Sequence, residues 1–160
     1  MDAPALDGTP RSLDPRIRTV WRIGELAGAV IVGGAAIVAA VLTHAPGWLL
    51  GAAGGLAAVL VLRAIVWPGL AWRCWRWSAW PDAIELRHGV LWRSASLVPY
   101  HRIQQIDIHR GPIERMVGLS TLILRTAAAA TDGRIPGVAA DEAEALRHDL
   151  LARAGIDDAV

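Results

Sequence analysis

Two blocks of this chain carry almost no polar residue. Residues 26–43 read LAGAVIVGGAAIVAAVLT, without a charge, and residues 47–62 read GWLLGAAGGLAAVLVL. Each approaches the ~20 residues a helix needs to cross the apolar core of a bilayer. Neither has a polar face, which separates them from the amphipathic helices of a soluble core. The connection, His44-Ala45-Pro46, fits a tight antiparallel turn. The first block starts late for a secretory leader and a second follows at once, so the pattern predicts a transmembrane helical hairpin.

From about residue 70 the long apolar runs give way to short alternating segments. Residues 70–80, LAWRCWRWSAW, interleave Trp with Arg as a half-buried strand does, and Pro81-Asp82 ends them. Residues 83–88 and 90–98 predict two strands about a turn at Gly89. Residues 102–110 predict a strand with Ile106 and Ile108 on one face and Asp107 and His109 on the other. The run PIERMV predicts a short helical turn, with Pro112 near its start and Gly118 closing it. A strand at 119–126, a mobile loop at 127–133 and a short strand at 134–138 follow. Residues 141–154 predict a helix with Asp141 and Glu144 at capping-box spacing. Its apolar stripe is Ala143, Leu146, Leu150, Leu151 and Ala154, and Gly155 stops it.

The expected class is therefore α+β: a two-helix transmembrane hairpin, then a small antiparallel β-barrel or sandwich capped by a C-terminal helix. The division expected is a tail at 1–22, the hairpin at 23–69, the domain at 70–155 and a short tail at 156–160.

Charge refines this picture. All sixteen basic residues are Arg, and the formal net charge of +1 argues against a nucleic-acid binder. Arg11, Arg16, Arg18 and Arg22 precede the first span, and Arg63, Arg73 and Arg76 lie at or beyond the end of the second. The intervening turn has none, so the positive-inside rule puts both termini in the cytoplasm. Trp21 and Trp67 mark the cytoplasmic interface and Trp48 the opposite one; Trp72, Arg73 and Arg76 are expected at the membrane surface. Trp75 and Trp77 share a strand face and also suit the core. Glu25 and Arg63 are equidistant from His44, which places them at similar depth and predicts a structural ion pair. Gly47, Gly51 and Gly55 form a small-residue ridge expected to pack within the hairpin, with packing between protomers as the alternative.

Candidate chemistry is sparse. His101, Asp107 and His109 share a face in an ideal strand, but His101 lies ~20 Å from the other two along it. Two ligands fall short of the three or four of a zinc site, and the single Cys74 adds neither a disulfide nor a Cys-rich site. Ser94, Ser96, Ser120 and Thr121 lack a nucleophile elbow. No metal, cofactor or catalytic residue is expected. Arg102, Gln104, Gln105, Asp107, His109 and Arg110 make a candidate interaction surface without chemistry. Gly118 suits a positive φ, and Arg115 is expected to hold the turn beside it.

Arg102-Ile103-Gln104, Gly111-Pro112 and Arg115-Met116-Val117-Gly118-Leu119, after two spans and before an Ala/Glu-rich helix, resemble the bacterial pleckstrin-homology-like (PH) family of YdbS-like membrane proteins. The resemblance covers roughly residues 20–154. It implies a membrane-anchored PH-like barrel with no catalytic residue assigned. Eukaryotic PH domains hold inositol phosphates with basic residues in the loop of the first strand pair. The loop taken to match, residues 78–83, holds no base and one acid, which argues against such a site. The expected role is a protein-interaction or assembly module, with another membrane protein or a second copy as partner. The alternative is a domain that binds anionic membrane lipids.

Overall fold

The computed structural model describes residues 8–127 and 131–155. The chain divides into two compact units, residues 18–70 and the remainder on either side of them.

The first unit is the hairpin. Helix α1 spans Ile17–Leu42 and α2 spans Gly47–Cys74, with 26 and 28 residues. At 1.5 Å per residue each is roughly 40 Å long, more than the ~30 Å hydrocarbon core. Their most apolar stretches have a mean hydropathy of 2.2, and few of those residues are buried, unlike the core helices of a soluble protein. Helix α1 closes with His44 in the left-handed region at φ 50° and the Ala45 amide bonded back to the Ala40 carbonyl at 2.9 Å. The helices approach closely at Gly33, where an added Cβ would lie 2.9 Å from Ala57 Cβ. The ridge of Gly47, Gly51 and Gly55 does not serve that contact: added Cβ atoms there would meet nothing within 4 Å. Helix α2 also corrects the strand expected over residues 70–80. It runs through Pro68, which membrane helices tolerate, and places Trp72 and Arg73 on a helix rather than a strand.

Among the described residues, the second unit holds seven strands in two antiparallel sheets. One has the order β1 (Arg11–Ser12), β2 (Arg76–Ala79), β3 (Ala83–His88), β4 (Ser94–Pro99), all neighbours consecutive. The other follows a 3-10 turn at Tyr100–Arg102 and has the order β5 (Ile103–His109), β6 (Leu119–Thr126), β7 (Gly133–Ala139). Helix α3 (Pro112–Met116) joins β5 to β6, and α4 (Ala140–Ala154) follows β7. Residues expected in a tail thus supply a strand: Arg11 pairs with Trp77 and Ser12 with Arg76. The whole hairpin is the connection between the first and second strands.

The core is mainly aliphatic, with Trp77 and Tyr100 also buried. Ile84, Leu119, Leu122, Leu124 and Ile135 are fully buried, with Leu146, Leu150 and Leu151 of α4 beside them. Two bulges tune which residues point inward. In β5, Ile103 faces Thr126 and Gln105 faces Arg125, so Gln104 is the extra residue. The extra residue resets the alternation, and Ile103 and Ile106 are both buried although three positions apart. In β7, Val138 pairs with Ser120 and Ile135 with Leu122, and the bulge contains Gly137 at φ 68°. Helix α4 starts one residue before the expected Asp141, directly from β7. Its N-cap is Ala139, without a side-chain cap, so the Asp141–Glu144 capping box does not form. Asp141 and Glu142 instead lie in the first turn, where the helix dipole favours acids. Gly155 ends it at φ 69°.

Candidate functional site

Three side-chain groups organise the surface of the domain. The first lies in the segment just before α1. Asp14 and Arg16 form a forked pair with contacts of 2.9 to 3.2 Å, and Arg16 also donates to the Val117 carbonyl at 3.1 Å. The Arg16 guanidinium holds the Asp14 carboxyl below the usual carboxylate range. Leu13 is buried, and its carbonyl accepts a 2.9 Å bond from the Trp72 indole. Sequence reading missed this clasp because its partners are far apart in the chain; the local signal was only the Asp-Pro-Arg turn.

The second group surrounds α3. The Gly111 amide donates to Glu114 Oε2 at 2.8 Å, and Thr121 Oγ1 donates to Glu114 Oε1 at 2.7 Å. Arg110 donates through Nε to buried Ser120 Oγ at 2.8 Å and through Nη2 to the Ala140 carbonyl at 2.9 Å. Ser120 and Thr121 are therefore engaged in holding the fold. Arg110, expected on an interaction surface, joins β6 to the start of α4. The turn expected to depend on Arg115 is held by Glu114 and Arg16, while the Arg115 side chain is exposed. Gly118 takes φ 70°.

The third group is the outer face of β5. Asp107 accepts from Arg125 Nε at 2.8 Å and from the Gln105 amide. Arg125, then Gln105, hold its carboxyl below the ordinary range. Arg102, Gln104, Gln105 and His109 are exposed. His101 lies on the 3-10 turn, off the strand that carries Asp107 and His109. Among the described residues, no three His, Cys, Asp or Glu side chains converge as a metal site.

Of the membrane-facing candidates, Trp48 is exposed, Trp67 partly so, and Trp21 half-buried. Arg73 is exposed, and Arg76 bonds the Trp75 carbonyl at 2.6 Å. Arg63 donates through Nη2 to Glu25 Oε2 within the hairpin. A groove of about 730 Å³ runs between residues 11–16, β7 and α4. Its walls mix Arg11 and Arg16 with Asp14, Asp141, Glu142 and Asp149, so it favours no single charge class.

The seven strands also relocate the loop used to judge headgroup binding. Residues 78–83 span the end of β2, the β2–β3 connection at 80–82 and the first residue of β3; the first strand pair is joined by the hairpin itself.

A family model described as "Bacterial PH domain" matches residues 24–154. The UPF0699 transmembrane protein YdbS of Bacillus subtilis (strain 168) is 31% identical over 145 residues, which cover 87% of this chain and 90% of that protein. No solved structure matches. Neither match is to a catalytic family. With two apolar helices of spanning length and seven strands closed by a helix, this chain belongs to the bacterial PH domain family.

Proposed function

We propose that this chain is an integral protein of the bacterial cytoplasmic membrane whose PH-like domain recruits or assembles a protein partner on the cytoplasmic side. Arginine placement supports that orientation. One observation carries the partner reading: β5 is an outer strand of its sheet, seven residues long and free of proline. The other outer strands suit strand addition less well. β1 has two residues, β4 ends in Pro99, and β7 contains Pro136. An extended segment from another membrane protein, or from a second copy, would pair along β5, with Gln104, Gln105 and His109 beside it.

The test is photocrosslinking in native membranes from full-length protein carrying a benzophenone residue at Gln104 or Gln105. A single stoichiometric protein adduct at both positions is expected. Adducts only with lipid, or none at either position, would refute the partner reading.

A further inference from the structure

The connection between β3 and β4, residues 89–93, exposes two large apolar side chains. Leu91 is 71% and Trp92 83% exposed. Gly89 fixes the loop tightly: its φ is 112°, and an added Cβ would lie 1.8 Å from the Trp92 carbonyl oxygen. The apolar pair therefore sits on a defined turn.

Strand register shows where this turn emerges. A single residue separates the end of α2 from β2, and Arg76 at the start of β2 pairs with Arg87 near the end of β3. Trp75, the intervening residue, stacks on His88 with centroids 5.5 Å apart. Ser12, just before the chain turns toward α1, pairs with Arg76. The Leu91-Trp92 turn thus leaves the sheet at the end where the chain enters and leaves the hairpin. The β2–β3 turn, with Asp82, is at the opposite end. Charge here is mostly positive: Arg73, Arg76, Arg87 and Arg93 lie in this part of the chain, with Arg87 paired to Glu85 at 2.8 Å and Arg93 next to the turn.

We propose that Leu91 and Trp92 insert into the headgroup–acyl boundary of the same bilayer that the hairpin crosses, with Arg93 contacting anionic lipid phosphates. An indole suits that boundary because its ring is apolar and its N–H is polar. Arginine beside it gains from the negative surface potential of anionic lipid. The short tether to α2 keeps the turn at high effective concentration near the surface, so weak intrinsic affinity suffices. A protein groove would need complementary shape; a bilayer needs only an apolar tip with a cationic flank. This contact is additional to the β5 partner reading and independent of it. It rests on the hairpin's crossing the membrane.

The test uses full-length protein in a Cys74→Ser background, reconstituted in phosphatidylcholine–phosphatidylglycerol vesicles. Single cysteines at Leu91→Cys, Asp82→Cys and Val38→Cys carry a small fluorophore. Nitroxide lipids report contact with the bilayer, and aqueous iodide reports exposure to water. We expect the Val38 label to be quenched by deep nitroxides, which tests the span separately. The Leu91 label should be quenched several-fold more by shallow nitroxides than the Asp82 label. A Leu91 label as open to iodide as the Asp82 label would overturn the proposal. So would one shielded from both quenchers, which would point to a covering protein. A Val38 label that nitroxides do not reach would remove the hairpin premise and the proposal with it.

Discussion

Ile17 and Gly137 meet where the domain receives the first helix: a Cβ added to Gly137 would lie 2.9 Å from Ile17 Cβ. Ile17 is fully buried, and Gly137 sits at φ 68°. The first residue of α1 is therefore a core residue of the β-rich unit. Ile17→Ala should destabilise that unit by about 2–5 kcal/mol through the cavity it leaves. Gly137→Ala should also destabilise it, from the left-handed backbone and the missing space together. Near-UV circular dichroism during thermal unfolding measures both; an unchanged midpoint in both variants would contradict this packing.

Arg110 should act as a structural brace. Truncation to Ala leaves the fully buried Ser120 hydroxyl and the Ala140 carbonyl without their guanidinium donor. The expected loss is about 1–3 kcal/mol. The double variant Arg110→Ala/Ser120→Ala should lose less than the sum of the two single variants, read from the same melts.

The Glu25–Arg63 pair should show the asymmetry of charges held in a poorly solvating medium. Arg63→Leu alone leaves a carboxylate inside the hairpin and should lower thermal stability in lipid nanodiscs. Glu25→Leu/Arg63→Leu should recover most of that loss, because breaking one half of such a pair costs more than removing both halves. A double variant no better than the worse single variant would exclude the pair as the cause.

Tyr100 gives the protein an alkaline limit. Its hydroxyl is buried without a hydrogen-bond partner among the described residues, and burial raises its pKa above the usual 10.0. A raised folded-state value means that this contribution is complete below the unfolded value and disappears as pH rises through the folded one. As the chain's only tyrosine, it can be followed directly by tyrosinate absorbance. The folded protein should titrate later than the denatured one. Tyr100→Phe should be neutral or stabilising, because it removes a buried polar atom with no partner.

Acid should act in the opposite sense on Asp14, Glu85 and Asp107, whose arginine partners lower their pKa values. Their stabilisation is present above the ordinary carboxylate range and fades as pH falls through the lowered values. All three lie largely near solvent, so added salt should weaken the effect. Asp107→Asn should flatten the acid limb of a stability-against-pH curve without shifting its alkaline limb.

The sequence shows some of these features and hides others for physical reasons. The spans were legible because length and uniform apolarity leave few alternatives, and β3, β6 and α4 because periodicity there meets no interruption. β1 was hidden: two residues carry no period, and their partners lie beyond the hairpin. The strand expected at 70–80 failed because Trp and Arg alternation resembles a pleat, while a helix emerging from a bilayer also places Trp and Arg near the interface. The inward pair Ile103 and Ile106 depends on a bulge, which shifts side-chain parity without changing composition. Arg110 and Arg16 looked like surface charge because their acceptors come from distant elements.

The placement of β1 before the hairpin and β2 after it affects how the protein is made. The ribosome produces the first strand of the domain before either span exists, and its partner only after both are complete. β1 cannot pair with β2 unless the intervening chain returns to the side it left, so a hairpin inserted by one span alone would separate the two strands across the bilayer. Closure of the first sheet thus requires both ends of the hairpin to lie on one side of any membrane its two apolar helices cross.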